Sequence, residues 1–406
     1  MHFTSSAIQH VASPDLIRPI LRALEPLRAE APHRYLELLV PASNMENLDL
    51  VTVRYIFKEL NYVLSNYGDV VKGHAWSLVY AIVVYADLLG KYTGHFNNEE
   101  VEIVVRKIAD LLNELGKLSP SLSVIAWAYA LAPALMHEDV RGFMEKALSI
   151  DVVNEANEVL GELGKMRDEV QKLMNDKEFM DYVKSKFVKI DEKAVKAAIL
   201  EASSFLKHAL AIYRLDNDEL EEAVRLFNEA AEEYREIGVY EYYLIDRGWA
   251  LRIEAIEGSL VGDELTKLRN EFQQLYEETF NVKRFKPTAP YLSTASLILG
   301  SYLVSLALTG DHETISKLLE KHWWVLNANK QASVLTRLTL NALLRPRGGL
   351  SGELKDKLSV NPEELINAFG SDMDSELLPA LRVAFGIAKS EDGVTICVSI
   401  KDSTKE

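Results

Sequence analysis

The chain has 406 residues, of which 48% are hydrophobic and 26% are charged, so it can bury a large core and still present a well-solvated surface. Its formal net charge of −16 disfavours non-specific binding to nucleic acid or to anionic membranes. The single cysteine, Cys397, excludes an intramolecular disulfide and a zinc site built from several cysteines. A soluble, cytoplasmic protein is therefore expected, and the abundance of Glu and Lys with few Gln is typical of thermophiles.

The N-terminal segment is rich in proline, which occurs at positions 14, 19, 26, 32 and 41. Proline is tolerated in the first turn of a helix and between helices, but it disrupts helix interiors. The spacing therefore predicts several short helices in series. From Thr52 onward, apolar residues at helical spacing predict longer helices.

Residues 97–116 are an example of these longer helices. Their apolar side chains recur every three or four residues and therefore share one face. Asn97 and Glu100 are spaced as a capping box, in which each side chain accepts a hydrogen bond from the other residue's backbone. Gly116 is predicted to end the helix, because glycine favours the left-handed conformation found just after helix ends.

Two other segments, residues 215–238 and 311–326, follow the same plan. Asp311 is the predicted N-cap of the second, and Gly238 is the predicted end of the first. Each segment follows an unusually apolar helix, so the chain consists of successive hairpins with one inner apolar and one outer amphipathic helix. The predicted fold is all-α, an irregular α-solenoid of stacked helical hairpins.

Two regions depart from this pattern. Residues 151–200 are highly charged with sparse apolar positions, and residues 393–400 alternate apolar and small side chains as one short β-strand does. Four segments are therefore predicted: an N-terminal helical-hairpin array (1–150), a charged bridging helical hairpin (151–200), helical repeats (201–345), and C-terminal helices with a tail strand (346–406).

Two uncharged windows, residues 118–136 and 287–310, are long enough to cross a membrane. Both contain several Ser, Thr, Tyr and Pro residues, and each is followed directly by a predicted amphipathic helix with many charged residues. A helix that is buried on all sides of a soluble protein has the same composition, and we favour that interpretation for both windows.

The spacing of Ala223, Phe227 and Ala230 resembles the second helix of the tetratricopeptide repeat, in which small residues beside an aromatic one let two helices pack closely. Ala211 matches the small packing residue of the first helix, but the next aromatic residue is one position out of phase and the proline expected near the repeat's end is missing. The match covers residues 202–238. The chain also resembles the helical repeat regions associated with archaeal regulatory ATPases of the STAND type. These resemblances imply stacked helical hairpins that bind other proteins.

Motifs for common enzyme chemistry are missing from the sequence. It contains no GxxxxGK[ST] phosphate loop, no GxGxxG dinucleotide motif and no HExxH zinc motif. The nine histidines are scattered rather than spaced as metal ligands. We therefore predict no catalytic residue, no cofactor and no metal site, while an all-α enzyme with a pocket between helices stays an alternative.

Five residues are candidates for contact with a partner protein. Tyr243, Arg247 and Glu254 lie on one predicted helix, away from its most apolar stripe, where a concave groove would expose them. An internal Arg–Glu pair that stabilises the helix is the alternative. Trp323 and Trp324 point about 100° apart on a helix, so at most one can fill the hairpin core. The other packs on a neighbouring repeat or contacts a partner, where Trp often dominates binding.

Two basic segments are candidates for anion binding. Lys283, Arg284 and Lys286 surround a phenylalanine that could stack on a nucleic-acid base, and Arg345 and Arg347 flank a proline beside two glycines. Because the net charge is −16, we favour a basic connector after an acidic helix for the first segment and a surface linker for the second. Nucleic-acid binding is therefore the least favoured function.

These features favour a non-enzymatic scaffold or regulatory adaptor. We expect its partner to be a protein or peptide, and a basic one, since an acidic surface attracts positive charge. A sensor segment of a STAND-type NTPase system and an all-α enzyme are the alternatives, and neither a membrane nor a nucleic acid is expected as a partner.

Overall fold

The computed structural model describes residues 14–45, 48–257, 263–282, 285, 289–344, 356–361, 363–364 and 368. Every regular element within these ranges is a helix, which confirms the predicted all-α class. The β-strand predicted at 393–400 lies outside the described residues. The chain divides into two compact units, the first ending at Arg214 but including residues 232–239, and the second comprising residues 215–231 and the chain from Tyr240 onward.

The first unit begins with short helices and continues with longer ones, as the prolines predicted. Short 3₁₀ turns cover Pro14–Leu16 and Thr93–His95. The α-helices are α1 (Ile17–Ala23), α2 (Leu27–Glu30), α3 (Pro32–Ser43), α4 (Leu50–Lys72), α5 (Ala75–Tyr92), α6 (Asn98–Leu118), α7 (Pro120–Met136), α8 (Glu138–Leu148), α9 (Val152–Asp168), α10 (Val170–Leu173), α11 (Lys177–Lys186) and α12 (Glu192–Asp216).

Helix α5 is the centre of the first unit. Every residue from Ala75 to Leu89 is buried. Helices α3, α4, α6 and α7 all contact it. A helix that is apolar on every side must be covered on every side, and these four neighbours together with α11 provide that cover.

The charged segment 151–200 contributes α9, α10 and α11 to the same unit, and α11 packs against α5 and α7. The hydroxyl oxygens of Tyr80 on α5 and Ser185 on α11 lie 2.7 Å apart. Lys186 donates a hydrogen bond to Glu201 on α12 at 2.6 Å. Burial acts to lower the pKa of Lys186, but the Glu201 carboxylate together with the nearby Tyr182 and Tyr80 hydroxyls outweighs burial, so the pKa lies above its ordinary value. These contacts fix α11 between α5, α7 and α12.

The second unit is organised around another apolar helix. It contains most of α13 (Leu220–Glu236), followed by α14 (Tyr240–Glu257), α15 (Asp263–Thr279), α16 (Ala289–Leu308), α17 (His312–Leu326) and α18 (Lys330–Leu344). Helices α14, α15, α17 and α18 all contact α16. Within the described residues α16 is long and apolar enough to span a membrane, but 89% of its window 291–308 is buried, which is consistent with a soluble protein.

A close approach between α16 and α18 depends on Gly300. A Cβ atom at this position would lie 2.2 Å from Oγ1 of Thr336 on α18, which is far inside van der Waals contact. Glycine therefore allows the Thr336 side chain to pack directly on the backbone of α16, and a larger residue at position 300 would require this side chain to shift.

Helices two positions apart in the chain contact each other in both units. In the first unit α3 contacts α5, α5 contacts α7, α7 contacts α9, and α6 contacts α8; in the second, α14 contacts α16 and α16 contacts α18. Stacked helical hairpins produce this pattern, because each hairpin packs on the next. The packing is therefore compatible with a helical repeat fold.

Most of the predicted helix ends are confirmed. Asn97 and Glu100 form the capping box of α6, and Asp311 accepts a hydrogen bond from the Thr314 backbone at the start of α17. Gly238 takes a φ of 79° after α13, as predicted. The prediction for Gly116 is wrong: α6 continues to Leu118. The next helix begins at Pro120, so α6 has room for one further half-turn before the chain must leave it.

A buried carboxyl group lies in the core of the first unit. The Oγ atom of Ser43 is 2.9 Å both from Oδ2 of Asp87 and from the carbonyl oxygen of Val40. A hydroxyl has one proton, so it can donate to only one of these oxygens at a time. Burial raises the pKa of Asp87 to about 6, although Lys91 and the Ser43 hydroxyl act to lower it. A protonated Asp87 would satisfy all three groups, because it can itself donate to Ser43.

We predict that Asp87→Asn removes a pH dependence of stability. The raised pKa means that the folded protein binds more protons than the unfolded chain between pH 4 and pH 6, so the free energy of unfolding falls as the pH rises through this window and is level above it. The variant should therefore gain roughly 2 kcal/mol on the wild type between pH 4.5 and pH 7, measured by urea denaturation. Asp110→Asn, at an exposed carboxylate of α6, is the control and should show no such gain. A constant difference between Asp87→Asn and the wild type would contradict the prediction.

Candidate interaction site

The three groove candidates on α14 occupy different environments. Tyr243 is buried, so little of its ring can reach a partner. Arg247 and Glu254 are partly exposed and form an ion pair with 3.6 Å between Nη1 and Oε1. Their separation of seven residues places them two turns apart on the same face of the helix. The structure thus brings Arg247 and Glu254 together and leaves Tyr243 largely covered.

Arg247 also ties α14 to the helices on either side of it in the chain. Its Nη1 donates to Oδ1 of Asn228 on α13 at 2.7 Å, and its Nη2 donates to Oε2 of Glu271 on α15 at 3.1 Å. A guanidinium presents several donors in a planar fork, which suits it to such a junction. With Glu254 as a third partner, the geometry matches the alternative interpretation of an internal Arg–Glu pair.

A second arginine on α14 has a different set of partners. Arg252 donates from Nε to Ser301 Oγ at 2.7 Å and from Nη2 to the carbonyl oxygen of Leu297 at 2.8 Å, and it lies over the ring of Trp249 at 5.6 Å. Both hydrogen bonds go to uncharged oxygens, and within the described part of the chain Arg252 forms no ion pair. Burial lowers its pKa to about 10. Sequence reasoning missed this residue, because nothing in its neighbours distinguishes it from Arg247.

The two adjacent tryptophans of α17 are the most open of the candidate residues. Trp324 is 56% exposed. Trp323 is half-buried, and the guanidinium of Arg337 lies 6.0 Å from its ring centre. The buried positions of this part of the helix are instead His322, Val325 and Leu326. Trp324 therefore presents a large apolar surface to solvent.

Trp324 lies at the edge of a group of packed rings, which we call the aromatic cluster. The cluster joins α15, α16, α17 and the residue Phe285, and its members are Tyr276, Phe280, Phe285, Tyr291, Tyr302, His322 and Trp324. Phe285 meets Trp324 edge-on at 6.4 Å between ring centres. Such arrangements are favoured by the ring quadrupoles. Val282, 93% exposed, lies three residues before Phe285 and adds further apolar surface.

The interior of the aromatic cluster contains a histidine that is neutral at physiological pH. His322 lies 3.0 Å through Nε2 from the Tyr276 hydroxyl, and 4.3 Å from Phe280 between ring centres. Burial, with a smaller effect of the neighbouring Lys321, lowers the pKa of His322. An uncharged, hydrogen-bonded imidazole holds these rings together without introducing a buried charge. The cluster is thus a packed support for the exposed Trp324.

The five predicted anion-binding residues, Lys283, Arg284, Lys286, Arg345 and Arg347, all lie outside the described residues. Their role stays a prediction. Within the ranges the structure describes, no group of three His, Cys, Asp or Glu side chains could hold a metal ion.

The chain matches no protein-family model, no curated protein and no solved structure. Its function is therefore argued from the geometry of its own residues.

We predict that the two arginines of α14 contribute differently to stability. Arg247→Met removes hydrogen bonds and ion pairs to Asn228, Glu254 and Glu271, and it should lower the free energy of unfolding by about 1–2 kcal/mol, since these groups are partly exposed and screened. Arg252→Met replaces a guanidinium without a counter-ion by an apolar chain of similar length, and it should change stability by less than about 1 kcal/mol. Urea denaturation at pH 7 measures both. The reverse order of the two effects would show that the ion pairs of Arg247 contribute little.

Proposed function

We propose that the chain is a non-enzymatic cytoplasmic scaffold or adaptor that binds a basic segment of a partner protein through its helical surfaces. The observation that carries the proposal is Trp324. It is more than half exposed, yet its ring packs edge-on against Phe285 of the aromatic cluster. A rigid aromatic side chain loses little conformational freedom on binding, which is why Trp is enriched among residues that dominate interfaces.

The charge of the chain supports a basic partner. The net charge of −16 attracts positively charged segments and accelerates their association. The face of a Trp ring also attracts Lys and Arg side chains through its negative quadrupole. Trp324 would therefore contact both the apolar and the cationic side chains of such a segment.

We further infer a tetratricopeptide-like arrangement of the hairpins. Three observations support it: Ala223, Phe227 and Ala230 are all fully buried, the ring of Phe227 stacks on Trp249 with 6.0 Å between centres, and helices two positions apart contact each other. A regulatory segment of a STAND-type ATPase also requires a surface that binds a partner. The resemblance to such segments is therefore compatible with the proposed adaptor function.

Trp324→Ala should weaken binding of a basic peptide at least tenfold, which corresponds to about 1.4 kcal/mol. The probes are fluorescein-labelled peptides of twelve residues rich in Lys and Arg, with and without a central Leu, titrated at low and physiological salt. Ile103→Ala is the matched control, because Ile103 is a similarly open apolar side chain (43% exposed) on α6. It should bind as the wild type does.

Three outcomes of this titration would argue against the proposal. In the first, the wild-type protein binds none of the basic peptides at low salt. In the second, Trp324→Ala binds them with the same affinity as the wild type. In the third, the wild type binds a single-stranded RNA of the same length more tightly than any peptide. Affinity for the peptides should fall as salt is added, since the attraction is partly electrostatic.

A further inference from the structure

Two histidines of the first unit lie side by side at the starts of two helices. His33 is in the first turn of α3, and His74 is the residue before α5. Their ring centres are 4.6 Å apart, with an angle of 40° between the ring planes. The two residues belong to different parts of the chain, so their spacing in the sequence does not indicate a pair of ligands. The tertiary structure alone brings them together.

The ring of His74 is open to solvent and is not used by the fold. The residue is exposed. It stands at the N-cap position of α5, yet its side chain makes no capping hydrogen bond. Among the described residues, its ring nitrogens have no hydrogen-bond or ion-pair partner. Both nitrogens can therefore bind a ligand from solvent.

One nitrogen of His33 also faces solvent. Nδ1 is buried and has no hydrogen-bond partner. Nε2, on the far edge of the ring, has no partner among the described residues either, but it is not buried, and the residue as a whole is partly exposed. An ion bound to Nε2 places the ring proton on Nδ1, where the second hydrogen bond that ligand histidines usually donate is missing. We therefore expect an ion that exchanges readily rather than one that is held permanently.

The surroundings of His33 favour the neutral imidazole, which is the form that binds metal ions. Burial lowers the pKa of His33, and His74 and Arg34 lower it further. Arg34 does not add a free positive charge to the site, because its guanidinium pairs with Glu37 at 2.8 Å. The same guanidinium lies over the ring of Trp76, at 5.4 Å from its centre.

The distance between the two rings selects a coordination geometry. A metal–nitrogen bond is about 2.0–2.1 Å long, so the centre of an imidazole ring lies roughly 3.2 Å from the ion that it binds. Two rings on one ion then have centres roughly 4.5 Å apart when their bonds meet at a right angle, and roughly 5.2 Å apart at the tetrahedral angle. The 4.6 Å between His33 and His74 matches the right angle. Square-planar and tetragonal sites of this kind suit Cu²⁺ and Ni²⁺, whereas Zn²⁺ prefers tetrahedral ones.

We propose that His33 and His74 bind a divalent transition-metal ion with tetragonal coordination, Cu²⁺ or Ni²⁺. Nε2 of His33 and one ring nitrogen of His74 are the two ligands from the protein. The described residues form no group of three His, Cys, Asp or Glu side chains around one ion, so water or a group of a partner fills the remaining positions. The bound ion ties the start of α3 to the start of α5, the central helix of the unit.

His74→Ala is the decisive variant, because an exposed side chain without a hydrogen bond contributes little to folding. Isothermal titration calorimetry of the chain without an affinity tag, with CuCl₂, NiCl₂ and ZnCl₂, measures the affinities. Cu²⁺ should bind most tightly, and Zn²⁺ at least tenfold more weakly than Cu²⁺. His74→Ala and His33→Ala should each weaken the binding of Cu²⁺ and Ni²⁺ at least tenfold. The matched control is His95→Ala, at another exposed histidine of the same unit, and it should bind as the wild type does.

Trp76 provides a second readout. Its ring centre lies 5.6 Å from that of His33 and 5.8 Å from that of His74, so Cu²⁺ bound between the histidines should quench its fluorescence. The quenching should saturate at the same Cu²⁺ concentration as the heat of binding, and it should be lost in His74→Ala. Trp76→Phe keeps both ligands, so it should retain the calorimetric affinity while the quenching falls.

The proposal is overturned if neither Cu²⁺ nor Ni²⁺ binds the wild type, if His74→Ala retains the wild-type affinity, or if His95→Ala loses as much affinity as His74→Ala. Because His74 is exposed, its result stands even if His33→Ala fails to fold. Peptide binding at Trp324, a residue of the second unit, is titrated without metal ions, so either proposal can fail without the other.

Discussion

Helices α5 and α16, each at the centre of one unit, are apolar on every side, and the rest of the structure depends on covering them. An amphipathic helix needs a neighbour on one face only, whereas α5 and α16 each require neighbours all around. Within the described residues, α5 is contacted by α3, α4, α6, α7 and α11, and α16 is contacted by α14, α15, α17 and α18. Burial of each large apolar side chain contributes about 1.5–3 kcal/mol, so an uncovered face on either helix would forfeit a large part of the stability of its unit. The alternation of apolar and amphipathic helices along the chain follows from this requirement.

Covering these helices also buries charged side chains. The number of hydrogen-bond and ion-pair partners that these side chains find differs from site to site. Arg247 has three partners, and Lys186 has a close carboxylate in Glu201. Arg252 has only uncharged oxygens. One oxygen of Glu233 has no hydrogen-bond partner at all. Buried charges that are fully paired are explained by packing, whereas a buried oxygen without a donor carries a desolvation cost that no hydrogen bond offsets.

The proposed binding function depends on a different property, the exposure of one aromatic side chain. Trp324 is open to solvent, yet its ring packs edge-on against Phe285. A side chain that already has such a contact loses less conformational freedom on binding than a fully mobile one. The acidic excess of the chain adds long-range attraction for basic partners.

Local patterns were sufficient to predict the all-α class, the inner and outer helices, the capping box of Asn97 and the end of α13 at Gly238, because each depends on residues within a few positions of one another. Gly116 shows that a local pattern does not always predict a helix end, because a glycine can lie inside a helix as well as just after it. The sequence also singled out Trp324, but it could not say that this ring rather than Trp323 is the open one. Arg247 and Arg252 look alike in sequence, and Lys207 pairs with a carboxylate 26 positions away, Glu233. Which groups are paired, buried or left without a partner was decided only by the tertiary structure, because the electrostatic and packing environment of a side chain is set by helices that are distant in the chain.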